Sequence, residues 1–161
     1  MRAEDQFHLG IVVEDFEATM AEYTALLGYE WSVEAGGPVA VTLQTGDAVH
    51  DLRCAFSLTE PRLEIVRQVP GTFWEPAADG GIHHIGYWSD DVAADSAALV
   101  SHGWVNEATR TGPDGSPFFT FHRSPIGLRI ELVSRIAQPG LERLWSAAAP
   151  CLVAADETNN A

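Results

Sequence analysis

The sequence predicts an α+β fold: two copies of strand–helix–three strands, each giving a curved sheet with its helix outside. Three observations predict it. The stretch His8-Leu9-Gly10-Ile11-Val12-Val13-Glu14-Asp15 returns 76 residues later as His84-Ile85-Gly86-Tyr87-Trp88-Ser89-Asp90-Asp91. The strand-like Arg62-Leu63-Glu64-Ile65-Val66 returns 67 residues later as Arg129-Ile130-Glu131-Leu132-Val133. Gly28 and Gly103 lie 75 residues apart, each where a helical pattern stops. Self-similarity of this kind marks a duplicated supersecondary unit.

Phe7 to Val13 is apolar and β-prone and reads as a buried strand. Asp15 is placed as a helix N-cap, with Glu17 in the first turn. Phe16, Met20, Tyr23 and Leu27 recur at helical spacing and are expected to pack one face on a sheet. Gly28 stops that helix. Tyr29 to Val33 begins the next strand, Gly36-Gly37-Pro38 reads as a turn, and Val39 to Gln44 as strand. Gly46-Asp47 turns the chain. Arg53 to Leu58 and Leu63 to Val69 complete a first module over residues 6–69. Residues 70–81, with two prolines and three glycines, form a linker. The second module spans 82–135. It has a strand from Ile82 to Trp88, a helix capped by Asp91 and carrying Val92, Leu99 and Val100, and a strand-like Trp104-Val105. A turn at Gly112 to Gly115 leads to an aromatic strand from Pro117 to His122. Ser124 to Gly127 turns again into a last strand, Leu128 to Val133. Residues 136–161 predict a short helix around Leu141, Leu144 and Trp145, then a flexible tail. The whole reads as a single domain.

At 161 residues the chain has length for one domain, or two small modules sharing a core. No apolar run reaches the roughly 18 residues of a membrane span. Met1 to Gln6 has no apolar signal core, so a cytoplasmic protein is expected. Cys54 and Cys151 fit no metal or redox spacing and read as reduced thiols. The formal charge is −14, with nine arginines and no lysine. That field repels polyanions, so neither nucleic acid nor an anionic membrane is an expected partner. It also weakly disfavours substrates with several phosphates, unless arginines cluster locally.

Alternation along strands sets the faces. Leu9, Ile11 and Val13 should face the first helix, and Ile85 and Tyr87 the second. His8, Gly10 and Val12 then face inward, as do His84, Gly86 and Trp88. By the same count Glu64 and Glu131 face inward among apolar neighbours. A glutamate there faces a large desolvation cost unless something pairs with it. Two histidines and two glutamates at equivalent places converge if a pseudo-twofold axis relates the copies. A divalent metal resolves the cost, because it takes imidazole nitrogens and its charge balances two carboxylates. The set suits zinc, nickel, cobalt, manganese or iron. A lone strand histidine is ordinarily a hydrogen-bonded core residue. Here two internal alignments place all four residues, so His8, Glu64, His84 and Glu131 are read as ligands of one divalent ion.

With these residues quoted, the chain resembles the vicinal oxygen chelate superfamily, which includes glyoxalase I, methylmalonyl-CoA epimerase, extradiol dioxygenases and the fosfomycin and bleomycin resistance proteins. The resemblance covers about residues 6 to 135. It rests on the two His-[Leu/Ile]-Gly-x-x-x-acidic-Asp openings, on Leu63-Glu64-Ile65-Val66, and on Ser124-Pro125-Ile126-Gly127-Leu128-Arg129-Ile130-Glu131-Leu132. The fold it implies is two βαβββ modules forming a curved mixed sheet with an inward-facing metal cavity. The four metal positions it implies are His8, Glu64, His84 and Glu131, a pattern similar to bacterial glyoxalase I. The epimerases differ in carrying Gln at the place of Glu64. The resemblance implies a metal-dependent lyase or isomerase of glyoxalase type, chelating vicinal oxygens of a small substrate and stabilising an enediolate-like intermediate. It makes Glu131 and Glu64 the candidate catalytic bases. It also implies a homodimer, with the site inside one chain or shared across two.

Three alternatives stand beside this reading. One is an epimerase of a CoA thioester. Another is an Fe(II) extradiol-type dioxygenase, for which His8, His84 and Glu131 would supply two histidines and a carboxylate. Glu64 then takes a position that oxygen needs, and such dioxygenases commonly carry two module pairs. The third is a non-catalytic binding or resistance protein, which has no need to bury two glutamates. Arg62 and Arg129 share the glutamates' face. They read as clamps for a substrate carboxylate or phosphate, or as groups orienting the glutamates. Trp88 and Phe121, with Phe119, Phe73 and Trp74, read as pocket walls or as core. His83 reads as structural, on the face opposite His84.

Overall fold

Each half begins with the same local chemistry. The computed structural model describes residues 1–78 and 80–146. In it strand β1 (Gln6–Val13) leads into helix α1 (Phe16–Leu27), and β5 (His84–Ser89) leads into α2 (Val92–Ser101). The Asp15 and Asp91 carboxylates accept hydrogen bonds from the backbone N–H of Ala18 (2.9 Å) and Ala94 (3.0 Å). Each satisfies a donor that the first helical turn leaves free. Gly28 ends α1 in the left-handed conformation at φ 75°, where a side chain would be strained.

Three strands follow each helix: β2 (Ala35–Leu43), β3 (Gly46–Phe56) and β4 (Leu63–Arg67) in the first half. The second half has β6 (Val105–Thr111), β7 (Pro117–Arg123) and β8 (Arg129–Ser134). The fold is α+β, as expected, and its curved mixed sheet closes fully, in the order β1-β4-β3-β2-β6-β7-β8-β5. Within each half the outer pair is parallel and in one register: Gly10 opposes Glu64 on β1 and β4, and Gly86 opposes Glu131 on β5 and β8. Two antiparallel seams join the halves. One pairs β1 with β5; the other, between β2 and β6, pairs only Thr42 with Thr109 and Leu43 with Ala108.

The helices lie outside. Phe16 and Met20 of α1 pack with Trp31, Ala55 and Ile65, and Val92 and Leu99 of α2 pack with Ile130 and Leu132. The interior cluster holds Val12, Val66, Trp88, Ala108, Phe119, Phe121 and Val133. Strand alternation therefore gives the expected faces. On the helices, Leu27 and Val100 depart from the apolar face expected of them and are exposed near the helix ends. A third helix, α3 (Gln138–Trp145), lays Leu141 and Trp145 against the interior cluster. The expected tail and Cys151 lie outside the described residues. No helix among the described residues is long and apolar enough to cross a membrane.

The largest departure from the sequence reading is β2. Gly36-Gly37-Pro38 is strand, paired with Arg53, Leu52 and Asp51. Tyr29 to Val33 forms no strand of its own and contributes isolated bridging, such as Trp31 with Ser57. Among the described residues, 35–41 have no strand partner on their far side, and a free edge tolerates a proline that cannot donate. The turn falls at Gln44-Thr45, so Gly46 and Asp47 open β3 instead.

Candidate metal centre

Two glycines create the space for the centre. Across the β1–β5 seam, His8 opposes Gly86 and Gly10 opposes His84. A Cβ on Gly10 would sit 1.9 Å from His84 Cε1, and a Cβ on Gly86 would sit 1.9 Å from His8 Cε1. Each imidazole thus lies over the opposite strand's glycine, and the two Nε2 atoms meet at 3.0 Å. Glu64 and Glu131 enter from the flanking strands. Glu64 Oε2 is 3.1 Å from His84 Nε2 and 3.3 Å from His8 Nε2. Glu131 Oε2 is 3.5 Å from His8 Nε2 and 3.7 Å from His84 Nε2. One ligand atom from each of the four lies within 4.8 Å of all the others. Both histidines and both glutamates are buried.

Left to themselves these groups are frustrated. Burial raises the Glu64 carboxyl, but the His8 and His84 imidazoles outweigh it and hold Glu64 below its ordinary range. Burial, and then the charge of Glu64, pushes Glu131 well above its ordinary range. Burial also lowers His84, against the pull of Glu64. One carboxyl is therefore ionised and the other protonated. Two imidazoles also face each other through the same nitrogen, where only one proton fits. A divalent cation would remove both conflicts, taking both nitrogen lone pairs and balancing two carboxylates. Neighbouring ligands about 2.0–2.1 Å from a common ion stand about 3 Å apart. The donor set and spacing fit such an ion.

The chain matches the model of the Glyoxalase/Bleomycin resistance protein/Dioxygenase superfamily over residues 7–121. It belongs to that superfamily. An uncharacterised protein of Bacillus subtilis, YwbC, is 29% identical over 130 residues, covering 80% of this chain and 95% of that protein. Methylmalonyl-CoA epimerase of Streptomyces coelicolor, solved with 2-nitronate-propionyl-CoA, is similar at 25% identity and a TM-score of 0.55, covering 81% of this chain and 96% of that one. The epimerase of Mycobacterium tuberculosis shares the fold at 20% identity and a TM-score of 0.51, over 81% of this chain and 87% of that one. The barrel closes within one chain and brings His8, Glu64, His84 and Glu131 together in a single copy.

The centre lies on a cavity of about 230 Å³. Phe7, Phe56, Trp74, Phe119, Phe121 and Leu141 wall it, and Arg53, Cys54 and Arg110 also line it. Of the residues expected to touch substrate, Phe121 is placed here, edge-on to His84 with ring centres 5.1 Å apart. Trp88 is not on this cavity; it stacks on Phe7 at 3.8 Å. Nor is Arg62, which donates to the Ser57 carbonyl (2.7 Å) and lies 4.0 Å over the Trp145 ring. Arg62 and Trp88 line a separate groove of about 500 Å³ that reaches His8 from outside. Arg129 pairs with Glu107 at 2.6 Å. Both arginines are thus engaged by other groups away from the cavity. Phe7 was not expected inside. A register shift between Gln6 and His8 puts it there.

His83 does not lie on the face opposite His84, where strand alternation would put it. It precedes β5, so strand alternation does not govern it, and it is buried. Its Nδ1 is 3.1 Å from His84 Nδ1, and its Nε2 is 2.7 Å from the Phe73 carbonyl. Arg129 Nη1 competes for that Nε2 at 2.6 Å. Burial, then His84 and Arg129, pushes His83 down to about 3, so it is neutral at ordinary pH. The tautomer that satisfies the Phe73 carbonyl leaves His83 Nδ1 accepting from His84 Nδ1–H. That leaves the His84 Nε2 lone pair free for a cation. Such partners orient metal-bound histidines and raise their basicity. Replacing His83 with alanine is expected to weaken metal binding about 10–100-fold, measured by competition with a chromophoric chelator. Unchanged affinity would show that His84 needs no partner.

Proposed function

We propose that the chain is a metal-dependent isomerase or lyase of glyoxalase type, which moves a proton at the carbon beside a carbonyl of a small substrate. The observation that supports this best is the pair of buried glutamates at equivalent places in the two halves, in register with Gly10 and Gly86. A reaction that removes a proton and returns it elsewhere needs such acid–base groups within reach of one carbon. A divalent ion held by His8, Glu64, His84 and Glu131 would supply Lewis acidity to vicinal substrate oxygens. Glu131, whose carboxylate stands farther from the imidazole nitrogens (3.5 and 3.7 Å) than that of Glu64 (3.3 and 3.1 Å), is the residue we assign to take it from carbon. Returned to the neighbouring carbon, the proton completes an isomerisation; returned to the same carbon from the other side by Glu64, it completes an epimerisation. Phe119, Phe121 and Trp74 wall the cavity with apolar surface.

The likeness to the Streptomyces coelicolor epimerase favours a second reading, epimerisation of a CoA thioester. Extradiol oxygen chemistry is less suited, because Glu64 adds a fourth ligand to the set it uses. Both proton-transfer readings are tested in D₂O with zinc- or cobalt-loaded protein. The substrates are 2-methyl acyl-CoA thioesters and thiol hemithioacetals of 2-oxoaldehydes. Deuterium entering beside the carbonyl without oxygen uptake is the expected result, and Glu131→Gln should slow it about 10²–10⁴-fold. Oxygen consumption by iron-loaded protein with a catechol would point to the dioxygenase instead.

A further inference from the structure

We infer that the substrate carries one free carboxylate held by Arg110, which makes this a site for small monocarboxylates rather than for acyl groups on a phosphate-bearing carrier. The inference rests on the metal-chelating reading above. On β6, Ala108 opposes Phe121 and Arg110 opposes Phe119. Phe119, Phe121 and Ala108 are interior residues, so Arg110, two residues from Ala108, shares their face. It lines the cavity, and its guanidinium lies 4.9 Å over the Phe118 ring.

What distinguishes Arg110 among the arginines on the cavity is that no carboxylate among the described residues pairs with it. Seven of the nine arginines are in ion pairs. The other guanidinium on the cavity, Arg53, is already taken by Glu34 at 3.3 Å and Asp51 at 3.0 Å. Charge counting then selects the ligand. Neutral imidazoles, two carboxylates and a divalent ion sum to zero. Arg110 leaves the lining with one uncompensated positive charge. A single carboxylate cancels it, and the guanidinium fork matches that group bidentately. A phosphate-rich carrier needs several cations at the mouth. The chain, at −14 overall, offers it no second free guanidinium on the cavity and repels it at long range. The substrate so defined has vicinal oxygens at one end, a carboxylate at the other, and an apolar span between for the aromatic walls.

The test uses the cobalt(II)-loaded full chain and its visible absorption. The probes are succinic monohydroxamic acid, which chelates through two vicinal oxygens and carries a carboxylate at its far end, and the methyl ester of that acid. The acid should bind at least about tenfold more tightly than the ester. Arg110→Met should bring the two together, and Arg110→Lys should restore part of the preference. Circular dichroism and cobalt content confirm that both variants are folded and loaded. Coenzyme A at the same concentration should not displace the acid. Equal binding of acid and ester to the unaltered protein overturns the inference, as does a preference that survives in Arg110→Met or displacement by coenzyme A. If neither hydroxamate changes the cobalt spectrum, the chelating reading itself fails and takes this one with it.

Discussion

Alanine at Gly10 should abolish the metal centre. The added Cβ would lie 1.9 Å from His84 Cε1 and 2.3 Å from its Nε2, the atom assigned to the ion. Neither Gly10 nor Gly86 has a left-handed backbone, so the strand accepts alanine readily and the whole effect is steric. The imidazole must swing out of a packed interior, where overpacking costs about 1–3 kcal/mol. Metal affinity should fall by more than the 10–100-fold expected for loss of an outer partner, because a ligand itself is displaced. Gly86→Ala should do the same to His8. Metal content after dialysis and the thermal midpoint report both effects. A Gly10→Ala protein that keeps one tightly held ion would mean the rings do not lie over the glycines.

The same pair shows what the sequence makes legible. His-x-Gly occurs at both openings because each histidine needs the opposite strand bare. Strand period alone turns His8, Glu64, His84 and Glu131 inward. Other features depend on information that single strands lack. β2 runs through Gly36-Gly37-Pro38 because its far edge is free there, and turn chemistry masks that. Phe7 enters the barrel through a register shift that no local pattern marks. β6 is rich in Thr, Asn and Arg, so only Trp104-Val105 reads as strand, and Arg110 goes unseen with the rest. His83 lies just before its strand begins, where alternation does not apply.

A second expected result concerns metal-free protein, whose stability should rise as pH climbs from about 5 to 6.5. His83, His84 and His122 are each lowered chiefly by burial. Below their ordinary value of 6.5 the unfolded chain takes up protons that the folded one refuses. Their contribution therefore shrinks as pH falls below 6.5 and is full above it. Glu64, held low by the imidazoles, contributes fully above its ordinary 4.5. Glu131 runs the other way. Burial and Glu64 raise it, so above 4.5 the folded chain keeps a proton the unfolded chain has lost. That stability is lost as pH rises through its raised value, by up to about 1.4 kcal/mol per pH unit. Three imidazoles against one carboxyl leave a net rise in stability between about pH 5 and 6.5. A bound divalent ion would ionise both carboxyls in the folded state and remove the opposing slope. Urea unfolding at about pH 5 and 6.5, with chelator and with zinc, checks this. Metal-free protein no more stable at about 6.5 than at about 5 would show that the buried imidazoles are not held neutral.

The zinc arm of that experiment leads to the most direct measurement, X-ray absorption on protein loaded to saturation with zinc or cobalt. One ion per chain is expected, with two imidazole nitrogens and two carboxylate oxygens as its protein ligands. His8→Ala and His84→Ala should each remove one imidazole. A chain that takes up no ion, or one whose ion keeps both imidazoles in those variants, would contradict the four-ligand centre.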